Sequence, residues 1–226
     1  MTSFSPETSA ADRLSAIDAR IAKAAALAGR AREDVTLIAI SKTKPVEEIR
    51  PLLEAGQRHF GENRVQEAEG KWPRLRADYP DIVLHMVGQL QSNKADEAVT
   101  LFDVIHSLDR PSLLKALAKA MAAQNRFLPC FIQVNVGAEE QKGGCAIADL
   151  PSLLDQARAA NLRLAGLMCV PPAHVEPAPY FALLAKLARD NGLGELSMGM
   201  SGDFETAVML GATYVRVGTA LFGERA

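Results

Sequence analysis

Eight short β-like runs alternate with helical patterns along this chain, at residues 35–42, 59–63, 83–88, 103–108, 128–136, 164–170, 196–201 and 214–217. Between them, helical patterns run over 46–55, 64–77, 92–100, 111–125, 149–160, 177–190 and 203–210, with 92–100 the least periodic. Strands that alternate with helices build parallel βα units. Eight is the number that closes into a (β/α)8 barrel. The competing arrangement, an open doubly wound sheet, needs a glycine-rich phosphate turn after its first strand. The segment there is Ser41-Lys42-Thr43-Lys44-Pro45, without glycine. We therefore expect an α/β fold, a single (β/α)8 TIM barrel. A helix over 8–28 precedes it, with Leu14, Ile17, Ile21, Ala24, Ala25 and Ala28 on one face and Gly29 as its stop. One domain spans 1–226, with 1–30 packed on the barrel. Asp109 and Asp149 stand where side chains cap the helices that follow them.

A length of 226 residues suits one barrel, and 48% hydrophobic residues can fill its core. The net charge of -2 gives no basic excess for nucleic acid or an anionic membrane, and 5% aromatics leave little surface for base stacking. Cys130, Cys145 and Cys169 are odd in number and lie far apart, which argues against a disulfide framework and a cysteine zinc site. No His/Asp/Glu grouping has metal-ligand spacing. The first residues show no leader pattern and no stretch approaches a membrane span, so a soluble cytoplasmic protein is expected. A barrel of this size can stand alone, and monomer is the default.

Lys42 ends the first apolar run. Barrel active sites lie at the carboxyl ends of the strands. A partly desolvated lysine there can act as a nucleophile toward carbonyls. The loops after strands 7 and 8 are a recurrent phosphate site in barrels. Here they carry Ser201-Gly202 and Gly218-Thr219, small residues with hydroxyl donors beside a helix start. Each glycine alone reads as an ordinary turn residue; two Gly/hydroxyl pairs at both loops point to phosphate. Closure places strand 8 beside strand 1, hence phosphate beside Lys42. Pyridoxal phosphate, an aldehyde that carries a phosphate, fits that pairing. Lys44 shares parity with Lys42 in an ideal strand and precedes Pro45; Lys42 is the deeper of the two.

Other candidates carry less. His59, His85 and His106 fall in or before strands and read as satisfied core or barrel-bottom residues, while His174 lies in a Pro-rich loop. Glu62 ends strand 2 as a possible general base or a paired loop carboxylate. Met198 and Met200 read as packing.

The segments Ile40-Ser41-Lys42-Thr43-Lys44-Pro45, Phe60-Gly61-Glu62-Asn63, Gln89-Leu90-Gln91-Ser92-Asn93-Lys94, Gly166-Leu167-Met168, Leu196-Ser197-Met198-Gly199-Met200-Ser201 and Val215-Arg216-Val217-Gly218-Thr219-Ala220-Leu221-Phe222-Gly223 run in order over nearly the whole chain. With them the chain resembles the pyridoxal phosphate homeostasis proteins, the YggS/PROSC type. The resemblance implies a barrel like the N-terminal domain of bacterial alanine racemase. It implies that Lys42 holds pyridoxal phosphate as an internal aldimine and that Ser201, Gly218 and Thr219 surround the phosphate. It places Arg216 near the ring and Asn63 in the pocket lining. Two positions depart from the family pattern: Arg64 stands where tyrosine is common, and Gln89 where proline is usual.

The resemblance implies control of the free cofactor level without established turnover, with pyridoxal-phosphate-dependent apo-enzymes as possible recipients. The residues agree with that reading. Racemisation needs acid/base groups on both faces of the substrate carbon, and the resembling racemase supplies a tyrosine from a further domain. Tyr79, Tyr180 and Tyr214 are none of them expected at a strand's carboxyl end. An arginine beside the ring nitrogen keeps it unprotonated and weakens the ring as an electron sink. The alternatives are an amino-acid racemase or lyase with the same cofactor, and a sugar-phosphate aldolase that uses Lys42 without one.

Overall fold

The computed structural model describes residues 8–223; the expectations for residues 1–7 and 224–226 lie outside it. Its strands are β1 (Thr36–Ile40), β2 (His59–Glu62), β3 (Val83–Met86), β4 (Val104–Leu108), β5 (Cys130–Gln133), β6 (Leu164–Met168), β7 (Glu195–Met200) and β8 (Tyr214–Val217). They pair in sequence order as a closed parallel barrel. Closure is direct: Thr36 stands opposite Tyr214, Ile38 opposite Arg216 and Ala39 opposite Val217. All eight expected strands are present. Most are shorter than the apolar runs, because the last residues of a run leave the ladder to build the mouth.

The helices are α1 (Ala10–Leu27), α2 (Val46–Glu54), α3 (Val65–Glu69), α4 (Trp72–Asp78), α5 (Ala95–Leu101), α6 (Pro111–Gln124), α7 (Leu150–Ala159), α8 (Ala178–Asp190), α9 (Phe204–Met209) and α10 (Thr219–Phe222). The helix expected over 64–77 is two helices. Pro73 has no N–H and its ring would strike the carbonyl four residues back, so the chain restarts with Pro73 in a new first turn. Neither expected cap forms. Arg110 holds the capping position of α6, one residue too late for Asp109, whose carboxylate instead takes Arg110 Nη1 at 2.6 Å. Asp149 does precede α7, but its backbone is already helical at φ -89° and ψ -13°, and its side chain makes no cap bond.

The extra helix α1 starts in a reciprocal capping box. Asp12 N–H donates to Ser9 Oγ at 3.1 Å and Ser9 N–H to Asp12 Oδ2 at 3.3 Å. Past its end Gly29 takes φ 68°, and Arg30 N–H reaches Ala25 O at 2.9 Å, which closes the last turn. Ile17, Ile21, Ala24 and Ala25 form its buried face, which packs on α9 and α10 behind strands 7 and 8. The main core lies between strands and helices. A smaller one fills the barrel interior, with Val104, Phe131 and Met168 at its centre.

Candidate functional site

β1 ends at Ile40, and Ser41 N–H still donates to Gly61 O at 3.0 Å. The chain then turns: Lys44 N–H bonds Ser41 O at 3.0 Å, with Thr43 at φ 63° in the third position. A positive φ at the third residue is the mark of a type II turn. The expected parity of Lys42 and Lys44 therefore fails, because a turn, not a strand, separates them. Lys44 pairs with Glu48 at 2.7 Å, whereas Lys42 lines the central cavity.

A buried polar cluster holds this turn from behind. Lys71 Nζ donates to Ser41 O at 3.0 Å and Lys44 O at 3.3 Å, and pairs with Glu62 at 2.7 Å and Glu67 at 2.9 Å. Thr43 N–H donates to the Glu67 carboxylate. Ser41 Oγ and Trp72 Nε1 both donate to Glu62 Oε1, at 2.7 and 3.0 Å. Glu62 is wholly buried, and its Oε2 has no hydrogen-bond partner. Burial raises its pKa above the ordinary carboxylate value, offset in part by Lys71, Ser41 and Trp72. Glu62 does not line the cavity: of its two readings the structure favours the paired carboxylate.

The cavity above the turn has a volume of about 390 Å³ and is lined by Lys42, Asn63, Ser201, Arg216, Gly218 and Thr219, with Gly202 between strands 7 and 8. All six candidate residues meet there. Ile40, Val87, Val170 and Met200 add apolar wall. Met200 thus faces the cavity, which corrects its reading as packing; Met198 is core. Ser201 Oγ accepts Gly218 N–H at 3.2 Å and ties the two loops together. Asp203 accepts Met200 N–H at 2.5 Å and closes the strand 7 turn. A Cβ at Gly218 would meet Ile40 only at ordinary contact distance. Its φ of -114° also suits any residue. Its protein neighbours thus do not require glycine there, and its small size keeps the cavity wall low.

Arg216 is 5% exposed and enters the cavity from β8. Nη1 donates to Ser197 Oγ at 2.7 Å and Nη2 to Cys169 O at 2.8 Å. Burial lowers its pKa, and Cys169 and Asp203 oppose the shift. Both hydrogen-bond acceptors are neutral. The cavity lining holds Lys42 and Arg216 and no carboxylate. A small anionic ligand fits such a site.

A second groove of about 950 Å³ adjoins the first at Asn63. Arg64, Gln89, Lys94, Arg110 and Lys142 line it, so both departures from the family pattern lie beside the cavity rather than in it. His85 and His106 are fully buried, and His174 sits in the loop over Pro171 and Pro172. Among the described residues no group of three or more His, Cys, Asp or Glu could hold a metal. No helix there is long and apolar enough to cross a membrane. Lys71 and Ser197 escaped the sequence reading, since each acts through partners on other elements.

A parallel eight-strand barrel with a lysine after strand 1 and Gly/hydroxyl loops after strands 7 and 8 defines the alanine-racemase class of barrel. Residues 13–226 match the family described as alanine racemase, N-terminal domain. The chain is 44% identical to the pyridoxal phosphate homeostasis protein of Pseudomonas aeruginosa, over 95% of each chain. It superposes on PipY of Synechococcus elongatus without pyridoxal phosphate at a TM-score of 0.84, with 39% identity over 94% of this chain and 99% of that one. PipY with pyridoxal phosphate bound gives 0.80, at 40% identity over 90% and 100%. The chain belongs to the pyridoxal phosphate homeostasis protein family.

Proposed function

We propose that this chain binds pyridoxal phosphate in the cavity at the carboxyl ends of strands 1, 7 and 8, and that it holds and releases the cofactor inside the cell without turning over an amino acid. One observation carries the reading: a lysine, a buried arginine and two Gly/hydroxyl loops share one cavity whose lining has no carboxylate. PipY, a relative at 40% identity whose structure has pyridoxal phosphate bound, supports the choice of ligand.

The bound cofactor would supply an aldehyde and a phosphate; the chain supplies their places. Lys42 is the amine for covalent attachment, and the clamped turn aims it. Ser201, Gly218 and Thr219 would hold the phosphate, at the start of α10, where the first N–H groups of the helix lack partners within it. Arg216 can only donate, so beside the ring nitrogen it would leave that nitrogen without a proton of its own. Asn63 and the apolar side chains of the cavity would line the place of the ring. The tyrosines support a non-catalytic role: Tyr79 ends α4, Tyr180 lies in α8, and Tyr214 opens β8 at the far end of the barrel. A second base facing Lys42 is not among them.

A cytoplasmic place fits three buried, unpaired thiols. A single domain acting as a monomer fits a closed barrel, which has no open sheet edge. Apo-enzymes that need the cofactor are the proposed recipients. Added pyridoxal phosphate is expected to give a visible absorbance band that Lys42→Ala abolishes. A band unchanged in Lys42→Ala would sink the assignment. Exchange of an amino acid's α-deuterium at enzymatic rates would sink the non-catalytic role.

A further inference from the structure

Arg216 ends a hydrogen-bonded row that crosses the barrel interior. Its Nη1 meets Ser197 Oγ at 2.7 Å. Ser197 Oγ meets His106 Nδ1 at 2.9 Å, His106 Nε2 meets His85 Nδ1 at 2.9 Å, and His85 Nε2 meets His59 Nδ1 at 3.0 Å. The row draws on β8, β7, β4, β3 and β2 in turn.

Its direction follows from donor chemistry. A guanidinium has five N–H donors and no acceptor, so Ser197 Oγ must accept from Arg216. The one hydroxyl hydrogen of Ser197 is then given to His106 Nδ1. That puts the His106 proton on Nε2, where it is donated to His85. The same step puts the His85 proton on Nε2, where it is donated to His59. The reverse direction would leave the Ser197 hydroxyl hydrogen without an acceptor in the row and turn the N–H dipoles toward a buried cation.

We propose that Ser197, His106, His85 and His59 form a one-way relay, set by Arg216, which positions that guanidinium in the cavity and offsets part of its charge. These four are positioning residues. Each hydrogen bond directs its electron-rich end toward Arg216, so the row offsets the arginine charge across the barrel. The rings are held in place: His106 stacks on Phe131 at 4.4 Å, and Tyr214 packs edge-on against it at 5.6 Å. Burial holds His85 and His106 well below the ordinary histidine value, with His59 adding to the effect on His85, and His85 and Arg216 to that on His106. Burial also lowers His59, against the pull of Asp103. Neutral imidazoles carry one N–H each, which is what a relay of this kind requires.

The relay's bearing on a bound cofactor rests on the proposed function; the relay itself does not. Imidazole nitrogen shifts, measured by NMR at neutral pH on protein without added cofactor, test it directly. The expected result is that His59, His85 and His106 are neutral with the proton on Nε2. A proton on Nδ1 of His85 or His106, or a charged ring at either, would overturn it. Arg216→Met removes the obligate donor, and the single tautomer at His106 and His85 should give way to a mixture. Ser197→Ala should release His106 in the same way. An unchanged tautomer in either folded variant would show that Arg216 does not set the direction. His106→Leu should speed pyridoxal phosphate loss about five- to tenfold, the worth of one hydrogen bond, while His106→Gln, which can accept from Ser197, stays near the parent. Equal loss in both variants would count against positioning. If the parent takes up no pyridoxal phosphate, the proposed function fails while the tautomers still decide the relay.

Discussion

Lys42 is legible in the sequence because a charge that ends an apolar run falls at a strand's carboxyl end, the ligand face of a barrel. Ser201, Gly218 and Thr219 are legible for a related reason, since barrel phosphate loops fall at fixed places in the strand order. Lys71 is not legible: nothing in its neighbours along the chain shows that its amine reaches two carbonyls of the Lys42 turn. Its removal would leave Glu62 buried without its cation. Lys71→Ala is therefore expected to lower stability by about 3–5 kcal/mol in denaturant unfolding, the range for breaking a buried pair. A loss below about 1 kcal/mol would be that of a surface pair and would contradict the clamp. Glu62 also carries a pH signature. It binds its proton more readily folded than unfolded, so its contribution is fully present below the ordinary carboxylate range and is lost as pH rises through its raised value. The stability of the parent relative to Glu62→Gln should fall across that window. A difference that stays flat or grows would show that Glu62 is not raised.

The elements were readable where periodicity alone decides them. Each of the eight strands lies within or close to its expected run, and α1 follows its expected face almost residue for residue. Caps were not readable at Asp109 and Asp149, because one residue of register separates a cap from a bystander. The split between α3 and α4 was readable in hindsight from Pro73. α1 braces the loops that carry the candidate phosphate residues, and it does so with apolar burial more than charge. Ile21 is fully buried, whereas the Arg20–Glu205 pair at 2.9 Å is partly exposed. Ile21→Ala is expected to cost about 2–5 kcal/mol and Arg20→Ala about 1 kcal/mol or less in the same unfolding assay. The opposite ranking would mean that the ion pair, not the packed face, docks the helix.

At the scale of the whole molecule, barrel closure makes the site. Lys42 and Arg216 are far apart in sequence, yet β1 pairs with β8, and Ile38, two residues before the end of β1, stands opposite Arg216. The strand count foretold that neighbourhood. It did not foretell the interior row from Arg216 to His59, because which inward side chains touch depends on stagger, and register shifts occur between β4 and β5 and between β7 and β8. The proposed covalent attachment of pyridoxal phosphate is to one lysine at the mouth of this closed barrel. It is tested most directly by loading the protein with the cofactor, reducing with borohydride and mapping the modified peptide by mass. The account predicts one pyridoxyl label, on Lys42, absent from Lys42→Ala. A label confined to Lys44, Lys94 or Lys142, or no label at all, would contradict it.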